Sequence, residues 1–187
     1  MEKRSILREK LFALIREKAY HEGPVKLASG KLSHYYIDAR VITLSAGGAY
    51  LVGSLIFDLI KDTPIDALGG PTMGADPIVG AFATVSFQEG RPINTFIIRK
   101  TPKAHGRMLQ VEGPELKEGS RVVLVDDVAT TGGSLVDSIA VLKKLGIHPK
   151  KAIVIVDREE GAAESLAKEG CALAALFKAS EFFTPKK

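Results

Sequence analysis

Apolar residues at Ile6, Leu7, Leu11, Leu14 and Ile15 follow a helical spacing, with Ser5 available as a cap, so 5–20 reads as an amphipathic helix. In VKLASGKLSHYYIDAR (25–40) a Ser29-Gly30 turn separates two short runs of apolar and aromatic residues, which predicts a hairpin. A second helix is expected over 46–60, after Ser45. Strand and helix then alternate: strand 65–68, helix 76–87, strands 93–98 and 121–125, helix 134–145, strand 152–156, helix 162–168, strand 172–176. This is the rhythm of an α/β fold with a mainly parallel central sheet flanked by helices. The runs VVLV and AIVIV are continuously apolar, as strands covered on both faces should be.

One segment breaks the rhythm. Between Arg99 and Gly119 lie about twenty residues containing Pro102, Gly106, Gly113 and Pro114, too long for a plain connection in a compact domain, and its basic content suggests a mobile lid. Neither a repeat nor a linker divides the chain. The expected organisation is one domain over 1–187, with a small helix and hairpin hood (1–45) on an α/β core (46–187).

Composition narrows the class. The 187 residues are 45% hydrophobic and 26% charged, ordinary for a globular protein and large enough for a core without staples. The single cysteine, Cys171, cannot form an intrachain disulfide and reads as a small buried apolar residue, which suits a reducing cytoplasm. No apolar run is long enough for a membrane span, and the charged N-terminus has no signal-peptide core, so no membrane partner is expected. A net charge of +4 suits an anionic partner, either a polyphosphate or a nucleic acid, and charge alone does not choose between them.

The chemistry concentrates in RVVLVDDVATTGGS (121–134). An apolar strand meets two acids, Asp126 and Asp127, and passes through Val128, Ala129, Thr130, Thr131, Gly132 and Gly133 to Ser134 and a helix. The carboxyl end of a parallel strand is where α/β folds bind ligands. Glycines let the backbone approach an anion, hydroxyls and amides donate to it, and the helix N-terminus adds its positive dipole end. Carboxylates repel phosphate but suit ribose hydroxyls, so the segment reads as a site for a sugar with a phosphate at one end. It is not a Walker loop, which requires G-x-x-x-x-G-K-[ST].

That segment resembles the phosphoribosyl-pyrophosphate signature of type I phosphoribosyltransferases, and further segments resemble the orotate phosphoribosyltransferase family in chain order. IIRKTPKAHGRMLQVEG (97–113) is similar to the family's R-K-x-x-K-x-H-G loop, with Arg99, Lys100, Lys103, His105 and Gly106 in register. Cationic groups at this density suit a pyrophosphate. LASGKLSHYYIDAR resembles the family's hairpin beside the orotate ring, which places Tyr36 and Ile37 there. GGPTMGADPIVGA (69–81) looks like the loop that holds pyrophosphate through backbone amides. IVIVDREEG (153–161) is similar to the strand end whose arginine contacts orotate, and Arg158 stands at that position. Four positions depart from members of the family: Ala28 stands where some carry a lysine, Met73-Gly74 where some carry a Tyr-Lys pair, and His34 where proline is common.

The resemblance implies a type I phosphoribosyltransferase fold and transfer of ribose 5-phosphate from 5-phosphoribosyl-1-pyrophosphate (PRPP) to orotate, in pyrimidine biosynthesis. It implies Mg²⁺ held mainly through PRPP and water, with no direct protein metal ligand. It also implies a homodimer whose cationic loop reaches the neighbouring subunit's site. The implied catalytic set is Lys103, supported by Arg99, Lys100, His105 and Asp127; the first four, with residues 126–134, would bind PRPP, and Thr130, Arg158, Tyr36 and Ile37 would bind orotate. Two alternatives remain open on the sequence: a purine-type phosphoribosyltransferase, and a non-catalytic regulator on the same fold that binds nucleic acid. The regulator should show a concentrated basic face or an added DNA-binding helix pair, and neither is evident in the sequence.

Overall fold

The computed structural model describes residues 2–26, 32–101 and 110–183. Helix α1 (Glu2–Lys18) leads into strands β1 (Tyr20–Lys26) and β2 (Leu32–Ile37), an antiparallel pair forming a small separate sheet. A short helix α2 (Ala39–Thr43) and helix α3 (Ala46–Ile60) follow. The main sheet is built from β3 (Ala67–Pro71), β4 (Asn94–Ile98), β5 (Val111–Glu112), β6 (Val122–Ala129), β7 (Lys151–Asp157) and β8 (Ala172–Lys178). Helices α4 (Asp76–Gln88), α5 (Gly133–Lys143) and α6 (Ala162–Lys168) connect them, and a 3₁₀ turn (Ala179–Phe182) ends the described chain.

The sheet order is β5-β4-β3-β6-β7-β8, parallel throughout except for β5 against β4. From β3 the chain crosses to β4 on one side, and from β6 it moves to β7 and β8 on the other. The topological switch therefore lies between β3 and β6, and the crevice beyond their carboxyl ends is the place this architecture offers a ligand.

Period-two alternation divides the core. Val123, Val125, Ile153 and Ile155 face α1, α3 and α4, while Val122, Leu124, Ala152 and Val154 face α5 and α6. Both faces are covered, which accounts for the continuous apolar runs. Burying each such side chain stabilises by roughly 1.5–3 kcal/mol, so α5 is anchored by Leu135, Ile139 and Leu142, all fully buried.

Several boundaries differ from the sequence expectation for local reasons. Residues 39–43 are helical because Asp38 caps them, its carboxylate accepting from Arg40 N at 3.2 Å. Strand β6 runs to Ala129, so both acids lie inside the strand rather than in the turn after it. The long segment after Arg99 contains β5, zipped onto β4 by Ile97–Glu112 and Ile98–Val111 pairing and by Arg99 N donating to Gln110 O at 2.8 Å. Ile6, counted in the apolar stripe of the first helix, is exposed. The expected Ser29-Gly30 turn lies outside the described residues.

The hairpin is fastened to the C-terminal segment by aromatic rings. Phe12 stacks on Phe182 at 4.8 Å, Tyr35 meets Phe183 edge-on at 4.6 Å, and Tyr20 lies 6.0–6.1 Å from Tyr35, Phe182 and Phe183. Arg8 crosses the same joint, its guanidinium 4.5 Å over the Phe177 ring and 2.5 Å from Glu181. These contacts set the hood beside the carboxyl ends of β7 and β8.

Candidate active site

At the switch point a cavity of about 1090 Å³ opens between the β3–α4 loop, the ends of β4 and β6, and the start of α5. Asp126, Asp127, Gly133, Ser134, Asp137, Arg99, Lys100 and Arg40 contribute polar groups or backbone to its wall. This brings together the acid pair, the helix start and the first two residues of the expected cationic segment. Lys103 and His105 lie outside the described residues.

The acid pair is held tightly. Asp126 is buried and Asp127 half-buried, and both carboxyls reach the β3–α4 loop at Gly74. Asp126 accepts from Ser134 Oγ at 2.8 Å and from Asp127 N at 2.9 Å, while Asp127 accepts from Val128 N at 2.7 Å. Burial, reinforced by the neighbouring Asp127 charge, pushes the Asp126 carboxyl up to about 7, and the Ser134 and Asp127 donors oppose the shift. The Asp126 carboxyl thus holds its proton more firmly than an ordinary carboxylate does. Sugar hydroxyls or a cation supplied with a ligand would favour the ionised form.

Two glycines permit this packing. Gly74, on the β3–α4 loop, lies so close that a Cβ there would collide with carboxyl oxygens of Asp126 and Asp127. Gly132 starts α5 with φ +82°, and a Cβ would meet Leu166 Cδ1 at 2.7 Å, so both conformation and space call for glycine. The peptide between Thr72 and Met73 is cis. Thr72 N donates to Ile98 O, Ala75 N to Pro71 O and Asp76 N to Met73 O. Among the described backbone bonds, the Met73 and Gly74 amides have no acceptor, which leaves them available at the cavity wall.

The remaining expected residues sit around this centre. Ala129 is buried and Val128 and Thr130 half-buried, while Thr131, Gly133 and Ser134 are exposed at the turn. Arg99 pairs with Glu112 at 3.4 Å, and Lys100 is exposed. Arg158 follows β7, beside β6, where its amide donates to Ala129 O at 2.8 Å. Its side chain is only 5% exposed, donates from Nε to Glu160 at 2.8 Å and lies 4.5 Å over the Tyr35 ring. Burial raises the Tyr35 pKa, against the lowering effect of the Arg158 charge. Ile37 packs into the core on the same strand face as Tyr35, and Tyr36 points the other way. Arg158, Tyr36 and Ile37 are not on the wall of the large cavity.

Sequence reasoning missed Tyr35, Arg40 and Asp137. Alternation along YYI could have separated Tyr35 from Tyr36 once Ile37 was assigned inward. Asp137 lies one helical turn after Ser134, a spacing readable from the sequence.

A Phosphoribosyl transferase domain model matches residues 42–171. The orotate phosphoribosyltransferase of Aquifex aeolicus is 45% identical over 177 residues, covering 93% of this chain and 96% of that protein. The chain belongs to the orotate phosphoribosyltransferase family. A structure of the Mycobacterium tuberculosis orotate phosphoribosyltransferase superposes with a TM-score of 0.83 at 34% identity, covering 95% of this chain and 99% of that one. Another structure of that enzyme, in complex with PRPP, gives 0.78 at 31% identity with the same coverage. The type I phosphoribosyltransferase fold, with its mostly parallel sheet flanked by helices, is thus the fold of this family member.

No described helix is long and apolar enough to cross a membrane. No group of three or more His, Cys, Asp or Glu among the described residues could hold a metal ion. The adjacent carboxylates of Asp126 and Asp127 are hard oxygen donors, so they suit a magnesium ion shared with substrate oxygens and water but not an all-protein cage.

Proposed function

We infer that this cavity transfers ribose 5-phosphate from PRPP to orotate, forming orotidine 5′-monophosphate and pyrophosphate in pyrimidine synthesis. The observation that carries the reading is the acid pair beside Gly133 and Ser134 at the β3/β6 switch, on a chain of the orotate family.

In this reading the 5-phosphate lies over Thr130, Thr131, Gly132, Gly133 and Ser134, where hydroxyls, amides and the α5 dipole meet it. Asp126 and Asp127 orient the ribose hydroxyls. A ring nitrogen of orotate attacks the anomeric carbon as the bond to pyrophosphate breaks and its electron pair leaves with the pyrophosphate. No protein nucleophile is needed, and positioned charge supplies the stabilisation. Lys103, with Arg99, Lys100 and His105, holds the departing pyrophosphate, and His105 can move a proton near neutral pH. Arg158 takes the orotate carboxylate, beside the hairpin that carries Tyr36 and Ile37. Magnesium, bound through PRPP oxygens and water beside the acid pair, would neutralise pyrophosphate charge.

We further propose one domain over 1–187, with the hood at 1–45, working in the cytoplasm as a homodimer. Exposed Val41, Leu44, Tyr50 and Met73 on α2, α3 and the β3–α4 loop offer apolar surface for the second subunit. The buried lone Cys171, its thiol pushed up to about 11 by burial, is consistent with a reducing compartment. The function is tested by mixing the protein with orotate, PRPP and magnesium and following orotate absorbance. Loss of absorbance matched by pyrophosphate release is expected; turnover of adenine or xanthine but not orotate would replace this reading with a purine one.

A further inference from the structure

The described wall of the cavity carries three acids, Asp126, Asp127 and Asp137, against three cations, Arg40, Arg99 and Lys100. Arg99 and Lys100 stand together where β4 ends, and Arg99 is partly engaged by Glu112. Arg40 comes from another element, the short helix α2, which packs on β6 and α3. It shares the cavity wall with the Met73-Gly74 segment, whereas Thr130, Thr131 and Gly132 are not on that wall.

Asp38 fixes Arg40 twice. The same carboxyl oxygen accepts from the Arg40 amide at 3.2 Å and lies 3.5 Å from its Nε. The two terminal guanidinium nitrogens are not spent on that ion pair. Asp38 first, then Asp127 and a hydrogen bond to the Tyr36 side chain, raise the Arg40 pKa, and Arg40 lines the same cavity as the acid pair. Its side chain is 45% exposed, so a ligand in the cavity can reach it.

A sugar phosphate with a diphosphate at its other end presents two anionic groups to this cavity. The turn at 130–134 suits one of them. The other would fall beside two carboxylates and needs cations on more than the β4 side, because unscreened acid next to diphosphate is repulsive. Arg158 does not face this space. From this geometry, and resting on the reading of the cavity as a PRPP site, we propose that Arg40 binds the diphosphate of PRPP from the α2 side, opposite Arg99 and Lys100. A planar, permanently charged fork suits two phosphate oxygens.

The test is direct binding of magnesium pyrophosphate and of ribose 5-phosphate, by calorimetry, to the unmodified protein, Arg40→Ala and Arg40→Lys, each first checked by thermal melting. Arg40→Ala should lose about tenfold to a hundredfold in pyrophosphate affinity, with ribose 5-phosphate affinity and the KM for orotate within about twofold. Arg40→Lys should fall between the two, since the charge stays but the fork is lost. If Arg40→Ala fails to fold, Arg40→Lys and Arg40→Gln give the same reading. Pyrophosphate affinity that stays within twofold in the folded variants, or an equal loss for ribose 5-phosphate, would overturn the proposal, as would a change confined to the KM for orotate. An unmodified protein that binds pyrophosphate but leaves orotate unconsumed would overturn the choice of base and not the role of Arg40. One that binds no pyrophosphate would overturn the reading of the cavity itself.

Discussion

Asp126 and Arg99 stand on one cavity, yet they are built in opposite ways. Asp126 lies on β6, inside the sheet, flanked by β3 and β7, with Ser134, the Asp127 amide and Gly74 pressed around it. Arg99 lies beyond β4, beside the two-residue edge strand β5, with a carboxylate partner at 3.4 Å and a side chain 41% exposed. The acidic half of the site is inseparable from the core, so changing it changes the protein's stability. The cationic half hangs from an edge, where charge can be altered with little effect on folding. Binding of the sugar can thus be preorganised while the charge that meets the leaving group is supplied from outside the packed interior.

The sharpest way to break this contrast is Lys103→Ala, in the cationic segment. Turnover should fall by about 10²–10³-fold, the size of a lost transition-state donor, with the melting temperature moving by no more than about 2 °C. A large loss of stability on thermal melting would show that the cationic segment is as embedded as the acid pair.

Gly132→Ala probes the opposite half. A side chain at φ +82° against Leu166 should cost about 1–3 kcal/mol, measured by urea unfolding. A neutral result would mean that the turn relaxes, and the claim of a rigid half would go with it.

Arg158→Ala should raise the KM for orotate by about tenfold, as expected for a charged hydrogen bond, and leave the KM for PRPP nearly unchanged. Equal effects on both would move Arg158 out of the base pocket.

A further test lies in the pH dependence. The Asp126 carboxyl stands at about 7 in the folded chain against an ordinary 3.8. Between those values the folded state binds more protons, so raising the pH through this window removes stability, and the full penalty is present above about 7. The melting temperature of the ligand-free protein should therefore decline from pH 5 to 8, and Asp126→Asn should flatten that decline. An unchanged slope would place its origin elsewhere.

The parts legible in the sequence were those with a strong physical period. The continuous runs around Val123 and Ile153 announced strands covered on both faces, and the glycine-rich turn before Ser134 announced a helix start beside an anion site. Shorter features escaped because their cause is not periodic. Helix α2 depends on one Asp38 cap, and the two-residue β5 on its pairing with β4 and the Arg99–Gln110 backbone bond beside it. The same limit applied within the site. Arg40 gains meaning only when α2 is laid against β6, and Tyr35 only when Arg158, more than a hundred residues later, folds over its ring. Lys103 and His105, singled out by the resemblance of the cationic segment, lie outside the described residues.

The joint between Phe12, Tyr20 and Tyr35 at one end of the chain and Phe182 and Phe183 at the other also sets a schedule. On the ribosome, β1 and β2 are made early, when Tyr20 and Tyr35 have each other to stack on, and Phe182 and Phe183 join them only after Arg158 has been made. A nascent chain can assemble the sugar-phosphate turn between β6 and α5 well before that moment. If Arg158 and the hairpin hold the base, as proposed, that side of the site gains its aromatic backing later than the sugar-phosphate turn gains its partners.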